Sequence, residues 1–166
     1  MSGNKRFVNE YEYTPEIIKE STGSWWNYKF KNAYKEMIIL LIMIIIIFFV
    51  TQNIKWLLFG IMPMIPIVLI YIKKKIAIKT ELERAQVIYN SKPPVIKLIL
   101  DKKITMITST GERILELKNI ESFIETKNLV VLMVKGSMTV AFTKEGFKEG
   151  TYKELLSYLS NLTNKK

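Results

Sequence analysis

Residues 37–50 read MIILLIMIIIIFFV and residues 56–72 read WLLFGIMPMIPIVLIYI, two apolar runs almost back to back, closed on the far side by Lys73, Lys74 and Lys75. The first run has no charged or polar side chain, so every face of a helix built from it is apolar, unlike an amphipathic helix of a soluble domain. Fourteen residues rise only about 21 Å against a hydrocarbon core of about 30 Å. A helix from Tyr34 to Ile54 restores the length, with Lys35 and Glu36 at headgroup level and Lys35 snorkelling outward. The second run contains Gly60, Pro63 and Pro66. Prolines break a soluble helix, but a membrane helix tolerates them with a kink when a neighbour covers the freed carbonyls. The two runs predict a transmembrane helical hairpin over residues 34–72.

Lysines set the expected orientation, because cytoplasmic flanks are enriched in Lys and Arg. Lys29, Lys31 and Lys35 precede the hairpin and Lys73, Lys74, Lys75 and Lys79 follow it, whereas the turn Thr51 to Lys55 carries one. The expectation is a multi-pass cell-membrane protein with both termini cytoplasmic. Trp25, Trp26, Tyr34 and Trp56 read as interfacial anchors, with the two adjacent tryptophans better explained so than as a binding platform. No small-residue cleavage site follows the first apolar run, so a cleaved signal peptide is not expected.

The formal net charge of +10 is uneven: residues 37–94 carry a net +5, residues 95–166 a net +4 and residues 1–36 a net +1. Half of the excess therefore flanks the apolar runs, where each Lys or Arg near an anionic leaflet is worth about 1 kcal/mol. Lys73, Lys74, Lys75 and Lys79 are the predicted contacts to anionic lipid headgroups. Signs alternate along 95–166, which argues against the basic stripe of a nucleic-acid binder.

The chain has neither cysteine nor histidine. Disulfides, thiolate nucleophiles and cysteine zinc sites are excluded, and the commonest general base and metal ligand are gone as well. There is no GxxxxGKS or GxxxxGKT loop and no GxGxxG turn after a strand. Glu81 with Glu83 and Glu121 with Glu125 lie among lysines and read as solvated faces. Nothing argues for an enzyme, a metal or a cofactor.

Lys5 to Tyr13, KRFVNEYEY, alternates like a strand. Thr14 and Pro15 then start a short helix, Pro15 to Glu20, which a turn at Ser21 to Ser24 ends before Trp25. These residues make an N-terminal segment, 1–33. After the hairpin, KKKIAIKTELERAQVIYNSK spaces Ile78, Leu82, Ala85 and Tyr89 as a helix, predicting a basic stalk over 73–94 that Pro93 and Pro94 end.

From Val95 the period becomes two. Strands are expected at Val95 to Leu100, Lys103 to Thr108, Arg113 to Leu117, Ile120 to Thr126, Leu129 to Val134 and Met138 to Phe142. Turns separate them at Asp101–Lys102, Thr110–Glu112, Lys127–Asn128 and Gly136–Ser137. Thr151 and Glu154 form a capping box for a last helix whose Leu155, Leu156, Leu159 and Leu162 share one face. That face needs a sheet to cover it. The fold class is therefore α+β: a transmembrane hairpin plus a small antiparallel β-barrel or sandwich over 95–166, closed by a C-terminal helix.

This plan resembles the bacterial YcxB-like family, in which an N-terminal strand and two membrane helices precede a domain like that of pleckstrin homology. The family pattern of a short strand ending in tryptophan and then isoleucine reads here Leu115, Glu116, Leu117, Lys118, Asn119, Ile120. Its strand, Pro-Lys and nearby phenylalanine before the final helix read here Phe142, Thr143, Lys144, Glu145, Gly146, Phe147. Ile120, Lys144 and Phe147 fit the pattern. Leu117 replaces the tryptophan and Thr143 the proline, so the chain is divergent. The resemblance implies no catalytic activity and no ligand. Physically, Phe147 is expected to plug the open end of the barrel beneath the last helix, and Lys144 reads as a solvated charge ahead of a contact to a lipid phosphate.

The function expected is a non-enzymatic membrane protein whose β domain binds protein or lipid at the cytoplasmic face, its strand edges open to a partner strand. The alternative makes the hairpin the working part, as a small oligomeric membrane effector or an immunity protein against membrane-active peptides. No ionisable residue lies inside either run, which argues against a transporter-like pathway.

Overall fold

In the computed structural model, which describes residues 5–89, 92–136 and 138–163, the chain is α+β with two antiparallel sheets. It divides into two compact units, one of Met1–Trp25 with Glu81–Lys166 and the other of Trp26–Thr80.

The first unit is rich in strand. β1 (Phe7–Glu12), β2 (Val95–Leu100), β3 (Lys103–Thr108), β4 (Gly111–Glu116) and the short β8 (Phe147–Glu149) make a five-stranded sheet in the order β4-β3-β2-β1-β8. β5 (Ile120–Glu125), β6 (Leu129–Val134) and β7 (Met138–Thr143) make a three-stranded sheet. The N-terminal strand, assigned by its position to a segment of its own, pairs along its full length with β2, from Phe7 opposite Leu100 to Glu12 opposite Val95. Its other edge takes β8, which sequence reading missed.

Period two sets the core. Ile96, Leu98 and Leu100 of β2, Ile104 of β3, and Val130, Leu132 and Val134 of β6 are buried in one cluster with Phe7, Phe142, Leu155 and Leu159. α5 (Tyr152–Thr163) supplies the last two, and of the expected capping box the Thr151 half forms, while the Glu154 carboxylate takes the Thr151 hydroxyl. The Glu154 N–H donates to Thr151 Oγ1 at 3.3 Å, and Thr151 Oγ1 donates to Glu154 Oε2 at 3.0 Å. Phe147 is half-buried against this core with its ring stacked on Phe142, centroids 6.2 Å apart.

All six residues of β6 are buried, which a strand covered on one face cannot achieve. The cover is α1 (Pro15–Lys29). Its Ile17 and Trp25 pack on Leu129, Val131, Met133 and Ala141, the face of the sheet opposite the main core. Two sequence expectations are corrected here. The helix does not end at Glu20 but continues through Ser21 to Ser24, because its buried face packs through Ile17 and Trp25 on the smaller sheet, while Ser21 Oγ donates to the Ile18 carbonyl at 3.3 Å and Ser24 Oγ to the Glu20 carbonyl at 2.7 Å. Such back-bonding is slightly unfavourable to a helix, so packing outweighs it here. Trp25, read as an interfacial anchor, is part of this second apolar cluster.

The second unit is helical. α2 (Lys31–Thr51) ends where Gln52 takes a left-handed φ of 52° and donates its N–H to the Phe48 carbonyl at 2.8 Å. Asn53 Oδ1 accepts the Lys55 N–H at 3.1 Å and begins α3 (Lys55–Ile61). The second apolar run then breaks at Met62–Pro63, and α4 (Met64–Tyr89) follows. Pro66 causes no break, since it stands in the first turn of α4, where no N–H is needed.

That break corrects the expected membrane topology. Among the described residues one helix, Lys31–Thr51, is long and apolar enough to cross a membrane. The expected second span is divided between the seven-residue α3 and the start of α4, which turns basic at Lys73. A multi-pass protein with both termini cytoplasmic is not supported. α4 does run unbroken from the apolar stretch into the basic stretch, as the stalk spacing predicts. Asn90 and Ser91 of the stalk and Ser137 of the Gly136 turn lie outside the described residues.

Candidate functional site

Two surfaces stand out, one on each unit. On the helical unit, α2 buries Ile44 alone and exposes most of its remaining isoleucines, among them Ile38, Ile39, Ile42, Ile45 and Ile46. α4 buries none of its residues and exposes Ile65, Val68, Leu69 and Ile72. Monomeric soluble proteins rarely expose contiguous apolar patches above a few hundred Å². Such a surface is built to meet something other than water.

Basic residues follow the apolar part of α4. Lys73, Lys75 and Lys79 are exposed, and Lys75 Nζ lies 4.8 Å from the centre of the Tyr71 ring. Lys74 is half-buried and donates to Asn27 Oδ1 at 2.8 Å. Trp26 stacks on Phe30 with centroids 5.0 Å apart, and Trp56 tilts against Phe59 at 5.7 Å. Tyr34 and Trp56 are half-buried.

On the strand-rich unit a cleft of about 260 Å³ opens at the end of the core nearest the start of β2. Ile96, Met106 and Val140 lie at its apolar floor, and the final turns of α4 form a wall through Arg84, Ala85 and Ile88. Arg84 is paired with Glu81 at 2.8 Å. Burial raises the Tyr11 hydroxyl above the usual tyrosine range, with Tyr13 adding to the effect. Tyr13 is pushed up to about 12, by burial first and then by Glu81 and Tyr89. Both tyrosines are therefore neutral hydroxyls at physiological pH.

At the rim stands Arg113. It pairs in register with Met106 across the β3–β4 ladder, and by alternation it shares a face with Leu115, which packs on the core. Sequence reading passed over Arg113, because Gly111–Glu116 shows no clean apolar alternation. The signal available was an arginine two residues before a core leucine.

The family-pattern residues are structural. Lys144 is not a solvated charge: its ammonium meets Glu125 Oε1 at 2.7 Å with 20% of the side chain exposed, and lies 5.2 Å from the Tyr152 ring centre. Glu125 correspondingly is not a free solvent charge. Ile120 is buried in the main core. Glu20, which sequence reading did not single out, ties α1 to the β5–β6 turn. It accepts from the Thr126 hydroxyl, from the Asn128 N–H at 2.9 Å and from the Asn128 amide at 2.9 Å. Burial pulls its carboxyl up, but those hydrogen bonds prevail and hold it below the usual carboxylate range. Among the described residues no group of three acidic side chains could hold a metal. Comparison with models of known families, with curated proteins and with solved structures finds no match.

Proposed function

We propose that the chain is a non-enzymatic, membrane-tethered binding module, in which residues 26–80 insert into a bilayer and the strand-rich unit binds a partner at its surface. The observation that carries this reading is the coupling of sequence position to sheet pairing. β1 precedes the apolar unit and β2 follows it, yet the two strands pair residue by residue. Both ends of the apolar unit thus lead into strands of one sheet, which supports insertion from one face of the bilayer rather than a multi-pass arrangement. The exposed isoleucines of α2 supply the apolar surface, and Lys73, Lys75 and Lys79 supply the cations that anionic headgroups attract.

The strand-rich unit is proposed to have the pleckstrin-homology-like plan of the YcxB-like family. Two antiparallel sheets sharing one core with an amphipathic C-terminal helix support that reading. β4 is an edge of the larger sheet with Ile114 exposed, so a partner strand can add there. A second copy is a poor candidate for that edge, because antiparallel self-pairing centred on Ile114 sets Glu112 opposite Glu116.

Synthesis of the full chain in vitro beside phosphatidylcholine vesicles tests the tether. The chain is expected to float with the vesicles, and an Ile42→Lys, Ile46→Lys variant to float less. A wild-type chain that stays soluble at the bottom of the gradient overturns the proposal.

A further inference from the structure

We infer that the cleft of the strand-rich unit binds a single-chain anionic amphiphile, with its head group on Arg113 and its chain along Ile96, Met106 and Val140. Charge placement is the first argument. Arg113 points to the core side of an edge strand, and among the described residues it makes no ion pair or hydrogen bond through its side chain. The other arginine of the cleft, Arg84, is neutralised by Glu81, and the tyrosines are neutral. The cleft therefore presents one uncompensated charge, a guanidinium, whose planar fork matches a carboxylate or phosphate.

The surroundings select an amphiphile over a bare anion. Below Arg113 the floor is aliphatic, and Ile88 on the wall is 58% exposed. Ile96 and Val140 are only 5% and 2% exposed, so the surface that an apolar chain removes from water there belongs chiefly to Ile88 and the half-buried Met106. The volume of about 260 Å³ falls below the roughly 300–1,000 Å³ of sites for drug-sized ligands, which suits one chain rather than a ring system. Thr108 Oγ1 lies 3.1 Å from the Gly111 carbonyl and 2.9 Å from Thr110 Oγ1. The Thr110 hydroxyl can turn from Thr108 to a head group at the rim.

The competing explanation is that Arg113 guards the β4 edge against strand pairing, as inward-facing charges do. Lysine would guard equally well, whereas a bidentate anion site requires arginine. Edge protection also demands no apolar floor.

The test uses the full chain in phosphatidylcholine nanodiscs, or in water should it prove soluble, with 13C-labelled methionine methyl groups. There are eight methionines, and Met106→Leu identifies the resonance at the cleft floor. Dodecanoate is expected to shift the Met106 methyl saturably, while dodecyltrimethylammonium and acetate leave it in place. Arg113→Gln should raise the half-saturating concentration about 10-fold, the loss of one charged contact, and Arg113→Lys should weaken binding to a smaller degree. Unshifted methyls of the other methionines verify the fold of each variant. Equal shifts from both twelve-carbon amphiphiles, a shift with acetate alone, no saturable shift, or an unchanged titration in Arg113→Gln would each overturn the assignment. The cleft lies wholly within the strand-rich unit, so these outcomes are independent of whether residues 26–80 insert into a bilayer.

Discussion

Asn9 and Thr143 exchange two hydrogen bonds: Asn9 Nδ2 donates to the Thr143 carbonyl at 2.8 Å, and the Thr143 N–H donates to Asn9 Oδ1 at 3.1 Å. Asn9 belongs to the larger sheet and Thr143 to the smaller, so one fully buried amide links them. Leucine at position 9 has nearly the same volume and can make neither bond. Asn9→Leu leaves the part-buried Thr143 N–H unpaired, at about 1–3 kcal/mol, whereas the Thr143 carbonyl keeps the Gly146 N–H at 3.3 Å. Denaturant unfolding of the full chain, followed by far-UV circular dichroism, is expected to show a loss of about 1–3 kcal/mol. A loss below 0.5 kcal/mol would mean that solvent reaches the site.

Gly150 has φ +75°, and a Cβ there would lie 2.6 Å from Cδ1 of Phe7, a ring that is 1% exposed. Gly150→Ala combines a left-handed backbone with a clash against an immovable side chain. The expected cost is about 2–3 kcal/mol, measured as a lowered unfolding midpoint with an unchanged slope.

Glu20 connects α1 to the β5–β6 turn by hydrogen bonds to its charged form. Because its folded pKa is lowered, its contribution is complete above the ordinary carboxylate range and disappears as pH falls through the folded value. Glu20→Gln is therefore expected to cost about 1 kcal/mol at pH 7 and almost nothing in acid below that range. Unfolding curves at both pH values check the sign. A gap that widens on acidification would contradict the hydrogen-bond account.

Lys144 pairs with Glu125 and lies over Tyr152. Lys144→Met removes both contacts and is expected to lower stability by about 1 kcal/mol. Vesicle flotation should not change, because the ammonium is engaged within the unit. Reduced flotation of a folded Lys144→Met chain would restore Lys144 as a lipid contact.

Elements decided by local pattern were legible in the sequence. β6 was delimited by the turns at Lys127–Asn128 and Gly136–Ser137 on either side of an apolar run, and α5 by the Thr151 and Glu154 spacing and a leucine face. The features that were not legible depend on contacts distant in sequence. Nothing in KRFVNEYEY indicates that Tyr11 will lie opposite Ile96. The serines of α1 look like a turn until the sheet beneath gives the helix a face to bury. The break at Met62–Pro63 was visible as a proline, but whether proline kinks or divides a helix depends on what covers the freed carbonyls. Arg113 was hidden because an arginine on the core side of a strand reads as ordinary surface charge.

The central claim is that one sheet holds both ends of a membrane-inserted unit. The chain has no cysteine, so Lys19→Cys in α1 and Lys127→Cys in the β5–β6 turn, both at exposed positions, each give a single label site. Sealed membranes carrying either variant would be treated from one side with a membrane-impermeant maleimide and then extracted at alkaline pH. The account predicts that both variants label from the same side and that both stay with the membrane after extraction. Labelling from opposite sides, or release of the protein by alkali, would contradict it.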